Sequence, residues 1–378
     1  MPEKPNIAVV IDAMPAYAGA ERVLASALEL YPDAPIYTSV YAPSAFIGTS
    51  IANHKIHTSW IQRVPGGLVH YRKFLPLLPM AFEQFDLSAY DLVLSFSYAV
   101  AHGVICRPDQ LHISYTFTPL RYAWQNSHEY FQHRLVSLIA KPILHSFRTW
   151  DHNAASRVDQ FAAISKWTAD CIRRAYQRES KVIYPPVEVE RFRPLDPRGD
   201  YFVALSRLVQ HKRMDLIVDA FSRLGLPLIV IGVGPERKRL EARAAGNVKF
   251  LGWQSDEVVA EILNRARALV HAAAEDFGLV LVEAQAAGCP VIAFGRGAAR
   301  ETILEGKTGL LFSEPTLDSL IQAVECFIED ERIFNRNDIL ENASRFGKKR
   351  FQCEFAQMIE REWYGFAGSV ASMKSLIA

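Results

Sequence analysis

Short apolar runs alternate with amphipathic segments along most of the chain. Ile7–Ile11 and Leu92–Phe96 are uninterrupted apolar or nearly apolar runs, and residues 20–30 between them show helical periodicity. Further on, Gln160–Ile164 predicts a strand that stands directly before a helix over Lys166–Tyr176. Apolar runs of four to eight residues bounded by turn residues are typical of strands buried on both faces. The alternation therefore predicts an α/β domain built on a parallel sheet.

A break at Tyr184-Pro185-Pro186-Val187 divides the chain, because two prolines prevent a helix from continuing. The alternation then resumes more regularly. Strands are predicted at 201–206, 226–231, 248–251, 268–271 and 291–294, and helices at 214–224, 237–244, 256–265 and 279–287. Two doubly wound domains are expected, over residues 1–185 and 186–355, with a final helix over 356–378 that returns to the first domain.

The composition narrows the classes of protein. A chain of 378 residues is long enough for two domains, and a formal net charge of +1 gives no reason to expect nucleic-acid binding. The five cysteines are scattered and form no C-x-x-C pair, which argues against a disulfide framework and a structural zinc site. A reducing compartment is the simplest interpretation.

Membrane and targeting signals are weak. The first residues lack the pattern of a signal peptide, and no apolar stretch reaches the roughly 18 residues of a membrane span, so a cytoplasmic location is expected. Residues 60–82 mix apolar side chains with four basic or histidine residues, namely Arg63, His70, Arg72 and Lys73. This segment is open to two interpretations, peripheral docking on an anionic membrane and ordinary amphipathic packing.

The segment from Glu275 to Ala284 carries the most specific chemistry. Two glutamates flank seven residues, and Gly278 stands where the helix is predicted to begin, in the same turn as Phe277. The first N–H groups of that helix, at Gly278, Leu279 and the next residue, would lack intrahelical partners and could bind a phosphate. Glu275 could then accept hydrogen bonds from sugar hydroxyls, and Glu283 from ribose hydroxyls.

This E-x7-E element resembles that of the retaining glycosyltransferases of family 4, and the rest of the second half agrees at regular spacing. The matching blocks are Ala204–Lys212, Ile231–Pro235, Phe250–Trp253, Ala287–Ala293 and Glu305–Gly309. The resemblance implies the α/β GT-B fold, in which two Rossmann-like doubly wound domains are separated by a cleft. It also implies that Arg207 and Lys212 grip the donor pyrophosphate, that Gly232 and Gly234 form a donor-side turn, and that Trp253 lies near the nucleobase.

The first half resembles the family more loosely. Ala18–Arg22 is similar to a glycine turn whose amides, here at Gly19 and Ala20, would reach the donor phosphates. Tyr115–Trp124 resembles a block of mannosyltransferases in bacterial surface-polysaccharide assembly, although Phe117 stands where those enzymes usually have a histidine. His102 is a nearby alternative for that histidine, and a packed core residue is the competing interpretation. Arg121 is a candidate for acceptor binding or for a structural ion pair.

The implied reaction retains the anomeric configuration. Its catalytic candidates are Arg207, Lys212, Glu275 and His102, since fixed positive charge and helix N-termini would stabilise the departing nucleoside diphosphate. No D-x-D element is present, so neither a metal nor another cofactor is expected. The resemblance favours GDP-mannose as donor and a polyprenyl-diphosphate-linked glycan as acceptor.

Two alternative functions remain open, and a third is disfavoured by the sequence. A UDP-sugar donor and a non-catalytic nucleotide-sugar-binding homologue both remain open, the latter because of Phe117. A dehydrogenase or epimerase would need G-x-G-x-x-G after a strand, whereas Gly232-Val233-Gly234 supplies only the first two glycines and residue 237 is arginine.

Overall fold

The computed structural model describes residues 4–124, 134–195 and 197–377. Its contacts divide the chain into two compact units, residues 1–184 with 351–378, and residues 185–350. Each unit is built around one parallel sheet, as the alternation of apolar runs and amphipathic helices predicts. The first division falls at the Tyr184–Pro185 bond, inside the segment where two prolines interrupt the pattern.

The first unit contains a seven-stranded sheet of order β3-β2-β1-β4-β5-β6-β7 in which all neighbours are parallel. The strands are β1 Ile7–Ile11, β2 Ile36–Thr38, β3 Ile56–Thr58, β4 Leu92–Ser97, β5 Leu111–Thr116, β6 Gln160–Ala163 and β7 Ser180–Val182. Every residue of β1, β4 and β5 is buried, which explains their continuous apolar pattern. The helices are α1 Gly19–Leu28, α2 Gly67–His70, α3 Leu78–Glu83, α4 Arg121–Trp124, α5 Arg134–Ala155 and α6 Lys166–Tyr176.

The second unit contains a six-stranded parallel sheet of order β10-β9-β8-β11-β12-β13. Its strands are β8 Phe202–Leu205, β9 Leu228–Ile231, β10 Val248–Gly252, β11 Ala268–His271, β12 Val291–Phe294 and β13 Gly309–Phe312. Its helices are α7 Met214–Leu224, α8 Arg237–Glu241, α9 Asp256–Arg265, α10 Leu279–Ala286, α11 Ala299–Thr302, α12 Leu317–Glu329 and α13 Arg336–Ser344. Gly225 caps the end of α7 with φ of 70°, a value that glycine adopts without strain.

A long final helix, α14 Lys348–Ile377, begins earlier than the predicted 356–378. Phe351 and Phe355 stack at 5.3 Å between ring centroids and both meet the edge of Tyr115 in β5. These buried aromatic contacts tie the helix to the sheet of the first unit. No helix among the described residues is long and apolar enough to cross a lipid bilayer.

Candidate functional site

The two loops with the strongest predicted chemistry meet at one point of the second sheet. The chain proceeds outward from β8 through β9 to β10 and then resumes on the other side of β8 with β11. In doubly wound sheets, ligands bind outside the carboxyl ends of the strands at such a switch point. The loop after β8 carries Arg207 and Lys212, and the loop after β11 carries Glu275.

Lys212 and Glu275 are brought into direct contact, although 63 residues separate them in the chain. The ammonium Nζ of Lys212 donates to Oε1 of Glu275 at 2.5 Å. Both side chains are mostly buried, with 15% and 13% exposure, so the ion pair is poorly screened by solvent. The structure thus unites two of the predicted catalytic residues.

A third residue, His271, completes this cluster and was not among the predicted site residues. It is the last residue of β11, it is 3% exposed, and its Nε2 lies 2.9 Å from the same Oε1 of Glu275. Burial alone would raise the pKa of the Glu275 carboxyl, but Lys212 and His271 more than offset it and hold that pKa well below its ordinary value. Glu275 is therefore an anion throughout the physiological range.

The side chain of Arg207, unlike that of Lys212, is exposed to solvent. It forms no ion pair with any of the described residues. The loop that carries it is held by backbone hydrogen bonds, in which Leu208 donates to Val233 and Ser206 to Ile231. The cation is thus available at the surface on a fixed backbone.

Gly232 and Gly234 explain why that loop can lie so close to its neighbour. A Cβ on Gly232 would lie 1.9 Å from the carbonyl oxygen of Ser206, and one on Gly234 would lie 2.2 Å from that of Leu208. Gly232 also has φ of 136°, which other residues rarely adopt. In the described structure both glycines approach the backbone next to Arg207, and their contact with a donor stays a prediction.

The first turn of α10 matches the predicted anion site in its geometry. Gly278 has φ of 77° and caps the helix, and Leu279 is its first helical residue. The opening N–H groups of a helix lack intrahelical acceptors and carry partial positive charge. Phe277, in contrast, is 3% exposed and packs its ring edgewise on Phe346 at 5.6 Å, so its side chain anchors the turn.

Glu283, the second glutamate of the motif, lies beside an arginine that the sequence did not single out. Arg191 donates from one terminal nitrogen to Oε1 of Glu283 at 3.2 Å and places the other 3.0 Å from Asp256. The guanidinium also lies over the ring of Phe192. Arg191 therefore orients the carboxylate that is the candidate ligand for ribose.

Trp253 is the most accessible aromatic candidate in this unit. It follows β10, and 73% of its surface is exposed. The preceding Gly252 has φ of 74°, and a Cβ there would lie 2.9 Å from a nitrogen of Arg237. The exposed indole offers a face on which a planar base could stack.

The first unit has its own switch point, between β1 and β4, which is organised around Asp12. One carboxylate oxygen accepts from the N–H groups of Tyr98 and Ala99, and the other from those of Val100 and Ala101, at 2.6–3.0 Å. Burial raises the pKa of Asp12, and the N–H groups of Tyr98, Val100 and Ala101 counteract part of that rise. The carboxylate thus shapes the loop that leads to His102.

His102 is 2% exposed and lies inside a polar chain in the first unit. Its Nδ1 is 3.1 Å from Ser97 Oγ, and its Nε2 is 3.3 Å from Asp151, which also accepts from the indole N–H of Trp124. This burial is typical of a packed, hydrogen-bonded histidine. Its predicted catalytic role stays a prediction.

The other candidates of the first unit stand at the beginnings of two helices. Helix α1 begins at Gly19, with Ala20 next, and the side chain of Glu21 accepts from the N–H of Ala18 at 3.1 Å. Burial raises the pKa of Glu21 to about 7. Arg121 opens α4 and is partly exposed.

The ring of Phe117 is partly exposed and meets Tyr115 edgewise at 5.6 Å. Within the described ranges of the chain, no three side chains of His, Cys, Asp and Glu form a group that could hold a metal ion.

The two parallel-sheet units have the α/β GT-B fold. HepE of Anabaena, in its crystal structure with UDP, superposes with a TM-score of 0.71 and 19% identity, over 94% of this chain and 99% of that one. A family model described as Glycosyl transferases group 1 matches residues 188–349, nearly the whole second unit. The second unit is therefore similar to the domain that this family model describes.

Curated relatives match over part of the chain. An uncharacterized glycosyltransferase of Methanocaldococcus jannaschii is 29% identical over 218 residues, covering 56% of this chain and 60% of the relative. The GDP-mannose-dependent alpha-(1-6)-phosphatidylinositol monomannoside mannosyltransferase of Mycobacterium tuberculosis is 33% identical over 211 residues, covering 46% and 54%. The chain thus spans little more than half the length of these relatives.

Proposed function

We propose that this protein is a retaining, metal-independent glycosyltransferase that transfers mannose from GDP-mannose to a lipid-linked glycan in cell-surface polysaccharide biosynthesis. The observation that carries the proposal is the cluster of Lys212 and Glu275 at the switch point of the unit that matches the group 1 glycosyltransferase model. The cluster holds a cation beside a carboxylate, and the proposal assigns the cation to a phosphate and the carboxylate to sugar hydroxyls of a nucleotide sugar.

The chemistry follows from where charge develops. As the glycosyl carbon loses the nucleoside diphosphate, the leaving group gains negative charge, and stabilising it is the main catalytic task. Arg207, Lys212 and the first N–H groups of α10 supply positive charge on fixed backbone elements. In this role they replace a divalent cation, so the reaction is expected to run in EDTA.

Each of the remaining candidate residues is proposed to contact one part of the donor. Glu275 would accept from hydroxyls of the transferred sugar, Glu283 from the ribose, and Trp253 would stack on the base. Gly19 and Ala20 would offer α1 amides to the phosphates. Attack from the face that the leaving group vacates would retain the anomeric configuration.

The mycobacterial relative, which is GDP-mannose-dependent, supports GDP-mannose as the donor. A UDP-sugar is the second candidate, because HepE has been crystallised with UDP and with UDP-glucose. The two candidates differ in base and sugar, and the same residues of this chain would serve either.

A lipid-linked acceptor would place the protein at the cytoplasmic face of a membrane. In the first unit, Val69, Leu77 and Met80 are 76%, 42% and 46% exposed, and the side chains of Arg72 and Lys73 between them are exposed as well. Apolar side chains interleaved with basic ones suit an anionic lipid surface. Arg121 is the proposed contact for the acceptor diphosphate.

The proposal is tested by incubating the purified protein with GDP-mannose, UDP-glucose and other nucleotide sugars in EDTA and measuring nucleoside diphosphate release. Release from GDP-mannose that a lipid-linked acceptor extract increases is the expected result, with an α-linked product by NMR. Release only with added Mg²⁺ would refute metal independence. Tight nucleotide binding without release from any donor would instead identify a non-catalytic homologue.

A further inference from the structure

The carboxylate of Glu275 receives both of its described hydrogen bonds on one oxygen. Lys212 Nζ lies 2.5 Å and His271 Nε2 lies 2.9 Å from Oε1, whereas Oε2 accepts no hydrogen bond from the described residues. An ionised carboxylate only accepts, so the Nε2 of His271 must carry the proton. With both donors on Oε1, the second oxygen is left for a ligand hydroxyl.

The backbone of Glu275 is fixed separately. Its carbonyl oxygen accepts from the N–H of Ala298 at 2.9 Å, and a Cβ on Gly297 would lie 2.3 Å from that oxygen. The backbone position is therefore set by the loop after β12. The direction of the carboxylate depends on the two side-chain donors.

These two donors differ in rigidity. Lys212 ends a flexible four-carbon stem and would also have to contact a phosphate when a donor is bound. His271 is 4% exposed in its side chain, sits on a central strand, and has only two side-chain torsions. The imidazole is thus the donor that can hold Oε1 in place while Lys212 adjusts to the ligand.

We propose that His271 is a positioning residue that orients Glu275 so that its free oxygen meets a hydroxyl of the transferred sugar. The inference rests on the proposed glycosyltransferase function and extends it to a residue outside the E-x7-E motif. His271 touches neither the sugar nor the nucleotide and acts only through Glu275.

The test compares His271→Phe and His271→Leu, which remove the N–H donor, with His271→Gln, which can retain one. The measurements are kcat and KM for nucleoside diphosphate release from GDP-mannose and UDP-glucose, the affinity for GDP and UDP by calorimetry, and Tm. Asn342→Ala is the matched control, because Asn342 is a buried polar residue of the same unit that bonds to Gln285 and Thr302 and not to Glu275.

The apolar variants are expected to lose about 10–100-fold in kcat, since a misplacement of about 1 Å can cost roughly 10²-fold in rate. GDP and UDP affinity should stay at the wild-type value, and His271→Gln should restore most of kcat. Asn342→Ala should lower Tm and leave kcat unchanged.

Three results would overturn the inference. Wild-type kcat in either apolar variant would show that Glu275 is positioned without His271. Parallel losses of Tm, nucleotide affinity and kcat that glutamine does not rescue would reduce His271 to a folding role. A wild-type protein that releases no nucleoside diphosphate would refute the proposed function itself, and the inference with it.

Discussion

The two units place polar side chains at the same position of the same kind of sheet and use them differently. At the switch point of the first unit, the carboxylate of Asp12 accepts hydrogen bonds from four backbone N–H groups, and His102 lies between Ser97 and Asp151. At the switch point of the second unit, both described hydrogen bonds to Glu275 fall on Oε1, so Oε2 accepts none from the described residues. Arg207 is exposed to solvent.

A buried carboxylate can serve either to stabilise a loop or to bind a ligand, and the number of its oxygens that the protein occupies distinguishes the two uses. A carboxylate whose acceptor sites are all filled by the protein stabilises a loop, because any ligand would have to displace N–H groups that cannot be solvated elsewhere. A carboxylate whose partners occupy one oxygen is held in place and can still bind a ligand. We therefore expect a division between the units, in which Asp12 and His102 support loop architecture and Glu275 and Arg207 contact the donor.

The largest effect is expected for Lys212→Ala. The variant removes a charge that would face the leaving group and leaves the buried Glu275 with His271 alone. Turnover at saturating donor should fall by about 10²–10³-fold, or roughly 3–4 kcal/mol. Steady-state release of nucleoside diphosphate measures the loss, with the exposed Lys238→Ala as control. Near-normal turnover would remove Lys212 from the catalytic set.

A different loss is expected for Asp12→Asn in the first unit. The amide NH2 would face two backbone N–H groups, so two of the four buried hydrogen bonds would be lost at a cost of about 2–3 kcal/mol. Tm should fall, while GDP and UDP affinity should stay unchanged. The exposed Asp33→Asn is the control and should leave Tm unaltered. Weakened nucleotide affinity in Asp12→Asn would break the division between the units.

The smallest of these effects is expected for Trp253→Ala. Because the indole is 73% exposed, its removal should leave Tm unchanged, and its loss as a stacking platform should weaken nucleotide affinity by about 1–2 kcal/mol. Calorimetry with GDP and UDP measures this, and Trp253→Phe should retain most of the affinity. Unchanged affinity in the alanine variant would show that the base lies elsewhere.

Much of the fold could be predicted because it depends on local patterns. Strands β1, β11 and β12 and helices α6, α7 and α9 begin and end at the predicted residues. Strands β2, β3, β5, β7 and β13 were missed. Four of them, β2, β3, β7 and β13, have only three or four residues and so carry little periodicity, and in β5 the polar residues His112, Ser114 and Thr116 interrupt the apolar run. Helix α8 ends at Glu241, before the predicted residue 244. Beyond Glu241, the N–H of Arg243 bonds to the carbonyl of Leu240, three residues back, as in a turn.

The site was harder to predict, because its contacts depend on the order of the strands. The sequence placed Lys212 and Glu275 after separate strands, and only the adjacency of β8 and β11 brings them together. His271 lay in a predicted strand, four residues before Glu275, and its position at the strand end was the available signal. Arg191 had no such signal, since it ends a three-residue 3-10 helix 92 residues from Glu283.

The most direct test of the expected donor contact at the switch point of the second unit is the affinity of the protein for GDP and UDP in EDTA, measured by calorimetry on two arginine variants of that unit. Arg207→Ala removes the exposed cation at the switch point, and Arg223→Ala removes one on α7 that is 65% exposed and paired with Asp318. The account predicts about 10–100-fold weaker binding in Arg207→Ala, since hydrogen bonds to charged groups contribute about 1.5–3 kcal/mol, and wild-type binding in Arg223→Ala. Equal affinities in the two variants would contradict it.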